Sequence, residues 1–214
     1  KKYVNQGFLE NMMCVANNTV DAPFNPDKTF KRNQLLFIGT LYKEKGIEIL
    51  LDAYRELKTI DNDILTLKIV GGGENFDNIK SWISDNDLNN SIELLGPIYD
   101  KHKLEEVFRS SVACISPNQA GLSVLSSMAY GCVFITKEEA ITGGEVFNIT
   151  HEETGLFYDG TNEDLKKKIV FACTDKKKMG KISKNAFIHY REHRTPQQMA
   201  NAIIDAVEFS FIKK

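Results

Sequence analysis

From about residue 35 the chain alternates short runs of large apolar residues with longer amphipathic stretches, and this alternation constrains the fold more than any other feature. Leu35-Leu36-Phe37-Ile38-Gly39 reads as a buried strand, since all but its glycine are large and apolar. Residues 45–59 then place Ile47, Leu50, Leu51, Tyr54 and Leu57 at helical spacing, with charges on the other side. The pattern repeats with strands at Leu65–Val70, Ile92–Leu95, Val112–Ser116, Cys132–Thr136 and Gly155–Tyr158. Between and after them come helical patterns near 75–86, 101–109, 121–130, 162–173, 175–192 and 196–212. Strands that are apolar throughout are covered on both faces, so the expected class is α/β with a parallel sheet. Right-handed crossovers make it a doubly wound, Rossmann-like arrangement, which binds ligands outside the carboxyl ends of its strands. There is no internal repeat or low-complexity tract, so one domain over 1–214 is the simplest division.

Charge and cysteine usage narrow the function classes. With 27 Lys+Arg against 29 Asp+Glu, the net charge of −2 argues against a dedicated nucleic-acid binder. No apolar run approaches the ~20 residues that span a bilayer, and Lys1-Lys2-Tyr3-Val4-Asn5-Gln6 leads into no signal-peptide core. Cys14, Cys114, Cys132 and Cys173 form no C-x-x-C pair and have apolar neighbours. They read as buried free thiols of a reducing, cytoplasmic compartment.

The expected carboxyl ends of the strands carry Gly39-Thr40, Gly71-Gly72-Gly73, Gly96-Pro97, Pro117-Asn118 and Thr136. Gly39 to Gly46 is a strand-to-helix loop with Lys45 just before the helix, where a lysine can meet a phosphate held on backbone N–H groups. The same residues also suit a solvated loop ending in a turn glycine, and they do not follow the P-loop order. Gly71-Gly72-Gly73 permits close approach to a ligand or simply forms a loop. It lacks the spacing of a dinucleotide fingerprint. A helix starting near Gly121 would aim several unpaired N–H groups at the cleft, a ready anion site. That segment is not a nucleophile elbow, because Leu125 stands where the second glycine is required. Glu145, on the Thr142-Gly143-Gly144 loop, either accepts ribose hydroxyl hydrogen bonds or serves as a first-turn residue.

Other patterns read as structural. Asp61-Asn62-Asp63 and Asp85-Asn86-Asp87 have the form of a metal-holding D-x-D, yet both sit between a helix and a strand, where Asp and Asn form turns. His189 and His193 lack a third ligand. Residues 162–194 hold ten Lys/Arg against four Asp/Glu, which suits either a solvated surface or contact with anionic lipid.

Taken in order, Phe37-Ile38-Gly39 … Lys45-Gly46, Ile69-Val70-Gly71-Gly72-Gly73, Leu95-Gly96, Ser116-Pro117, Gly121-Leu122-Ser123-Val124-Leu125 … Met128-Ala129-Tyr130-Gly131, Gly144-Glu145 and Thr154-Gly155-Leu156 resemble one family. It is the C-terminal, donor-binding half of family-four (group 1) glycosyltransferases of the GT-B fold, in the flavour of bacterial enzymes that build surface polysaccharides. Residues 1–30 resemble the lead-in segment, with Val15 to Asp21 similar to its Asn-Gly-Val-Asp turn, and 196–214 resembles the closing helix.

The resemblance implies retaining transfer from a UDP- or GDP-sugar without a metal or other cofactor. Lys45 would contact the donor diphosphate and offset leaving-group charge, and Gly39 would let its loop approach. Gly71 and Gly72 fall within the donor-side loops, Gly96 and Ile98 would lie near the base, and the N–H groups at Gly121, Leu122 and Ser123 would cap the phosphates. Thr40 stands where the family usually has Arg. Asn118 and Ser126 stand where it usually has two glutamates, for the sugar and the ribose. Asn118 can still reach a sugar hydroxyl and is the expected catalytic partner of Lys45; Ser126 can bond ribose. Partners are then the nucleotide sugar and a glycan or lipid-linked acceptor, the latter through an N-terminal domain absent from this chain; the basic stretch at 162–194 suits peripheral membrane contact, and the near-neutral charge excludes nucleic acid. The chain begins without Met, consistent with a cut at a domain boundary. Alone it should bind donor without turnover. A degenerate binding module and a GT-B epimerase are the alternatives.

Overall fold

The computed structural model describes residues 16–61 and 63–212, so expectations resting on Cys14, Val15, Asn62 and the start of the lead-in segment lie outside the described residues. Six parallel strands form one sheet: β1 (Gln34–Ile38), β2 (Thr66–Val70), β3 (Ile92–Gly96), β4 (Ser111–Ile115), β5 (Val133–Lys137) and β6 (Leu156–Tyr158). Their order is β3-β2-β1-β4-β5-β6, the doubly wound arrangement that the alternating pattern implies. The helices are α1 (Ile47–Ile60), α2 (Phe76–Asp85), α3 (Lys101–Arg109), α4 (Ser123–Ala129), α5 (Asn162–Thr174), α6 (Lys176–His193) and α7 (Pro196–Ile212).

Successive strand residues point to opposite faces, and the two cores follow that period. Leu35, Phe37, Ala113, Ile115, Val133 and Ile135 pack beneath α1, α2 and α5. Leu36, Cys114 and Phe134 face α3 and α4. Helix α6 joins both cores, with Met179 and Ile182 in the first and Ala186 and Tyr190 in the second, so it wraps the sheet. Its start is capped by Asp175, whose carboxylate accepts the Lys178 N–H at 2.9 Å.

Two expected helix starts move. Lys45 belongs to a 3₁₀ turn at Lys43–Lys45, and α1 begins only after Gly46, which adopts a left-handed φ of 73°. Helix α4 begins at Ser123, leaving Gly121 in a bend before it. Both changes keep residues meant for a helix in the loops at the carboxyl edge. Both aspartate patterns fall where a helix ends, with Asp63 N–H bonded to Asp61 Oδ1 at 2.8 Å after α1, and Asp87 at φ 56° after Asp85 closes α2. Cys114 and Cys132 are buried free thiols, whereas Cys173 is only partly buried because it sits near the end of α5.

Candidate functional site

Strands β1 and β4 are neighbours whose crossovers run in opposite directions, so their following loops part and leave a crevice at this switch point. A cavity of about 610 Å³ occupies it. The first wall is the β1 loop. Gly39, with Lys45 against it, lines the cavity, and the Lys45 Cε would lie 3.5 Å from a Cβ at Gly39. Lys45 is half-buried, and among the described residues it makes no ion pair. Burial pushes its ammonium below its ordinary pKa. A partly desolvated cation without a carboxylate is an unfinished charge, and an anion entering the cavity would complete it.

The opposite wall is the β4 loop. Its backbone is zippered to the β5 loop, with Ile141 N–H donating to Asn118 O at 2.8 Å and Ala120 N–H to Ile141 O at 2.9 Å. This fixes Gln119, which lines the cavity, and delivers Gly121, Leu122 and Ser123 to its edge. Among the described residues the N–H groups of these last three have no protein acceptor, the first bond of the segment being Val124 N–H to Gly121 O. Lys45 thus faces free backbone donors across the crevice, an arrangement suited to phosphate oxygens.

The third wall is the β5 loop. Glu145 is buried at the start of a short 3₁₀ turn, its Oε2 accepting Gly143 N–H at 3.1 Å and the Thr142 hydroxyl at 3.4 Å. Its Oε1 accepts the Asn18 amide at 3.3 Å. Glu145 therefore organises its loop, as its first-turn reading has it, and also lines the cavity.

A family model described as glycosyl transferases group 1 matches residues 21–189. The chain belongs to this family. It is 27% identical over 154 residues to an uncharacterised glycosyltransferase of Haemophilus influenzae, covering 71% of this chain and 42% of that protein. An uncharacterised glycosyltransferase of Methanocaldococcus jannaschii is 28% identical over 146 residues, covering 67% and 37%. The chain thus spans about two fifths of the length of these curated relatives. Among solved structures, S. aureus TarM in a complex containing UDP superposes with a TM-score of 0.78 at 19% identity, over 96% of this chain and 41% of that one. The C-terminal domain of a group 1 glycosyl transferase, LpcC from Francisella tularensis, gives 0.66 at 18%, over 78% and 89%. At these identities the structures show the fold: this group 1 glycosyltransferase chain has the architecture of the C-terminal half of GT-B.

Of the residues expected in the site of this group 1 glycosyltransferase, Gly39, Lys45, Gly121, Leu122, Ser123, Ser126 and Glu145 share the cavity. Thr40, Gly71, Gly72, Gly96, Ile98 and Asn118 do not line it. Asn118 lays its side-chain amide against Gly46, where a Cβ would come within 2.8 Å of Nδ2. Gly71 serves the chain's own packing, because a Cβ there would sit 1.8 Å from Gly39 O. The Ser126 hydroxyl donates to Leu122 O at 3.2 Å, one turn back. Asn18, Ile38, Phe108, Gln119 and Gly143 line the cavity without having been expected there. Ile38 and Gly143 lie inside motifs already singled out, Gln119 directly follows Pro117-Asn118, and Asn18 lies in the lead-in turn. Asn18 reaches Glu145 across 127 positions, and no local pattern announces such a contact.

Proposed function

We propose that this chain is the donor-binding half of a retaining glycosyltransferase, which moves a sugar from a nucleotide-sugar donor to a glycan or lipid-linked acceptor in cell-surface glycan synthesis. The carrying observation is Lys45, a half-buried ammonium without a carboxylate, facing the unpaired N–H groups of Gly121 to Ser123 across a crevice. Negative charge accumulates on the diphosphate as the sugar leaves. Fixed donors already aimed there stabilise it with no reorganisation, which is often the largest catalytic term. Glu145 then accepts hydroxyl hydrogen bonds from the ribose or the sugar, oriented by Asn18. The acceptor is held by the part of the protein that the longer relatives possess beyond this domain, so the chain alone binds donor without turnover. The protein works in the cytoplasm, where nucleotide sugars are available.

Asn118 and Ser126 favour a second reading, a nucleotide-sugar binding module without transfer. Neither supplies a carboxylate, and the Asn118 amide is packed on Gly46. UDP, which TarM holds in the structure named above, is the first ligand to test. Calorimetry with this chain should show UDP binding that Lys45→Ala weakens about 10-fold to 100-fold, the worth of a charge-assisted contact. Unchanged affinity in Lys45→Ala would remove the diphosphate role from this loop. Turnover by the full-length gene product with lipid-linked acceptors separates the transferase from the binding module.

A further inference from the structure

The basic stretch that the donor cavity does not use becomes asymmetric once folded. On α5 two of the three lysines are engaged: Lys166 pairs with Glu56 at 2.7 Å and Glu163 at 2.5 Å, and Lys168 with Asp164 at 3.9 Å, while Lys167 makes no ion pair among the described residues. On α6 they are not. Lys177, Lys181, Lys184, Ile188 and Arg191 are all exposed, and none of the four cations makes an ion pair among the described residues. Their spacing puts them within an arc of about 80°, over a length of about 21 Å. Met179, Ile182, Ala186 and Tyr190, the buried residues of α6, lie on the opposite side. No acidic residue falls on the arc. Glu192 stands at its edge, beside His193 at 3.8 Å. A chain of net charge −2 thus presents one helix face bearing only positive charge.

Apolar surface adjoins it. Between α1 and α5 a groove of about 390 Å³ is lined by Leu57, Ile60, Val170, Phe171 and Thr174, with Lys166, Lys167 and Glu163 at its sides, the Glu163 carboxylate being paired with Lys166. Ile60 is 79% exposed. The Lys178 ammonium lies 5.5 Å from the Phe171 ring, so the first turn of α6 meets this groove. Cations outside exposed aliphatic side chains are the complement of an anionic bilayer, whose headgroups attract the charges while its interface accepts the apolar groups. Nucleic acid would satisfy the charges and leave Ile60 and Ile188 in water.

We propose that the α5–α6 face, with the Ile60 groove, docks this protein on anionic phospholipid membrane. The surface lies outside the donor cavity, so nucleotide binding neither requires it nor reports on it.

The test is vesicle co-sedimentation of this chain with one part phosphatidylglycerol to two parts phosphatidylcholine, against phosphatidylcholine alone. Binding is expected to the anionic vesicles only and to fall steeply with salt. It should drop by about fivefold for each of Lys177→Gln, Lys181→Gln, Lys184→Gln and Arg191→Gln, and several-fold in Ile60→Ser. Unaltered UDP affinity and melting temperature show that the variants are folded and keep the donor site separate from the outcome. Equal binding to neutral vesicles, or full anionic binding by the four-charge variant, overturns the proposal. So does equal capture by duplex DNA with Ile60→Ser without effect, which would make the face a general polyanion surface.

Discussion

Gly71 and Gly121 look alike in sequence, each a glycine near a strand's carboxyl end, and the structure gives them opposite duties. At Gly71 the φ is +150° and an added Cβ would meet Gly39 O at 1.8 Å, a backbone atom that cannot swing aside. The β1 and β2 loops touch there through bare backbone, with Gly39 N–H bonded to Val70 O and Leu41 N–H to Gly72 O. At Gly121 nothing lies within 4 Å of an added Cβ. Gly71→Ala should therefore cost about 3 kcal/mol or more, through backbone displacement and strain. Gly121→Ala should stay within about 0.5 kcal/mol of the parent. Urea unfolding of the pair checks this, and comparable midpoints would show that the close approach at Gly71 is readily relaxed. Because Gly71 holds the loop that carries Lys45, its substitution should weaken nucleotide binding as well.

At the scale of elements, the lead-in segment is held to the domain by α3 and α6 rather than by a strand. Glu105 is 1% exposed and accepts Asn25 N–H at 2.9 Å and the Arg109 guanidinium at 2.7 Å. Arg109 in turn lies 4.4 Å from the Phe24 ring and 4.7 Å from that of Phe30, and it donates to the carbonyls of Asn25 and Lys28. Desolvation alone would raise the Glu105 pKa, but the Asn25 and Arg109 hydrogen bonds outweigh it and hold the carboxyl below its ordinary value. A depressed carboxyl pKa favours the folded state above the unfolded value of about 4.3. That contribution disappears as pH falls from there through the folded pKa. Glu105→Gln should accordingly lose stability at pH 7 and show a flatter acid limb below about pH 4.3, read from urea midpoints across the pH range. An unchanged acid limb would remove Glu105 from the pH response. This strap also marks what sequence could not supply. The strand–helix alternation was legible because burial on both faces writes continuous apolar runs, and the loops at the carboxyl edge followed from it. Asn25 to Glu105 and Asn18 to Glu145 join residues 80 and 127 positions apart through single polar groups, which impose no period on either segment. Lys45 was legible as a loop lysine, but its solitude depends on where every carboxylate ends up.

For the molecule as a whole, the sheet order makes the crevice a seam, with β1-β2-β3 on one side and β4-β5-β6 on the other. A ligand touching both the Lys45 loop and the Gly121 segment resists any opening that parts them. The cysteines report such opening from within. Cys114 on β4 and Cys132 just before β5 are fully buried, and burial pushes the Cys114 thiol up to about 12, so neither reacts without a large opening. Cys173 is only partly buried and should label first of the three described cysteines. A nucleotide at one hundred times its Kd stabilises the bound form by about 2.7 kcal/mol, which slows labelling through the unbound open state by about 100-fold. Peptide-resolved mass spectrometry with a maleimide should therefore show saturating UDP protecting Cys114 and Cys132 while leaving Cys173 unaffected. In Lys45→Ala the protection at the same UDP concentration should fall to between about 2-fold and about 10-fold. Protection of Cys173 equal to that of Cys114 would mean that UDP binds elsewhere or tightens the fold uniformly, whereas protection confined to the β4–β5 thiols places it on the seam.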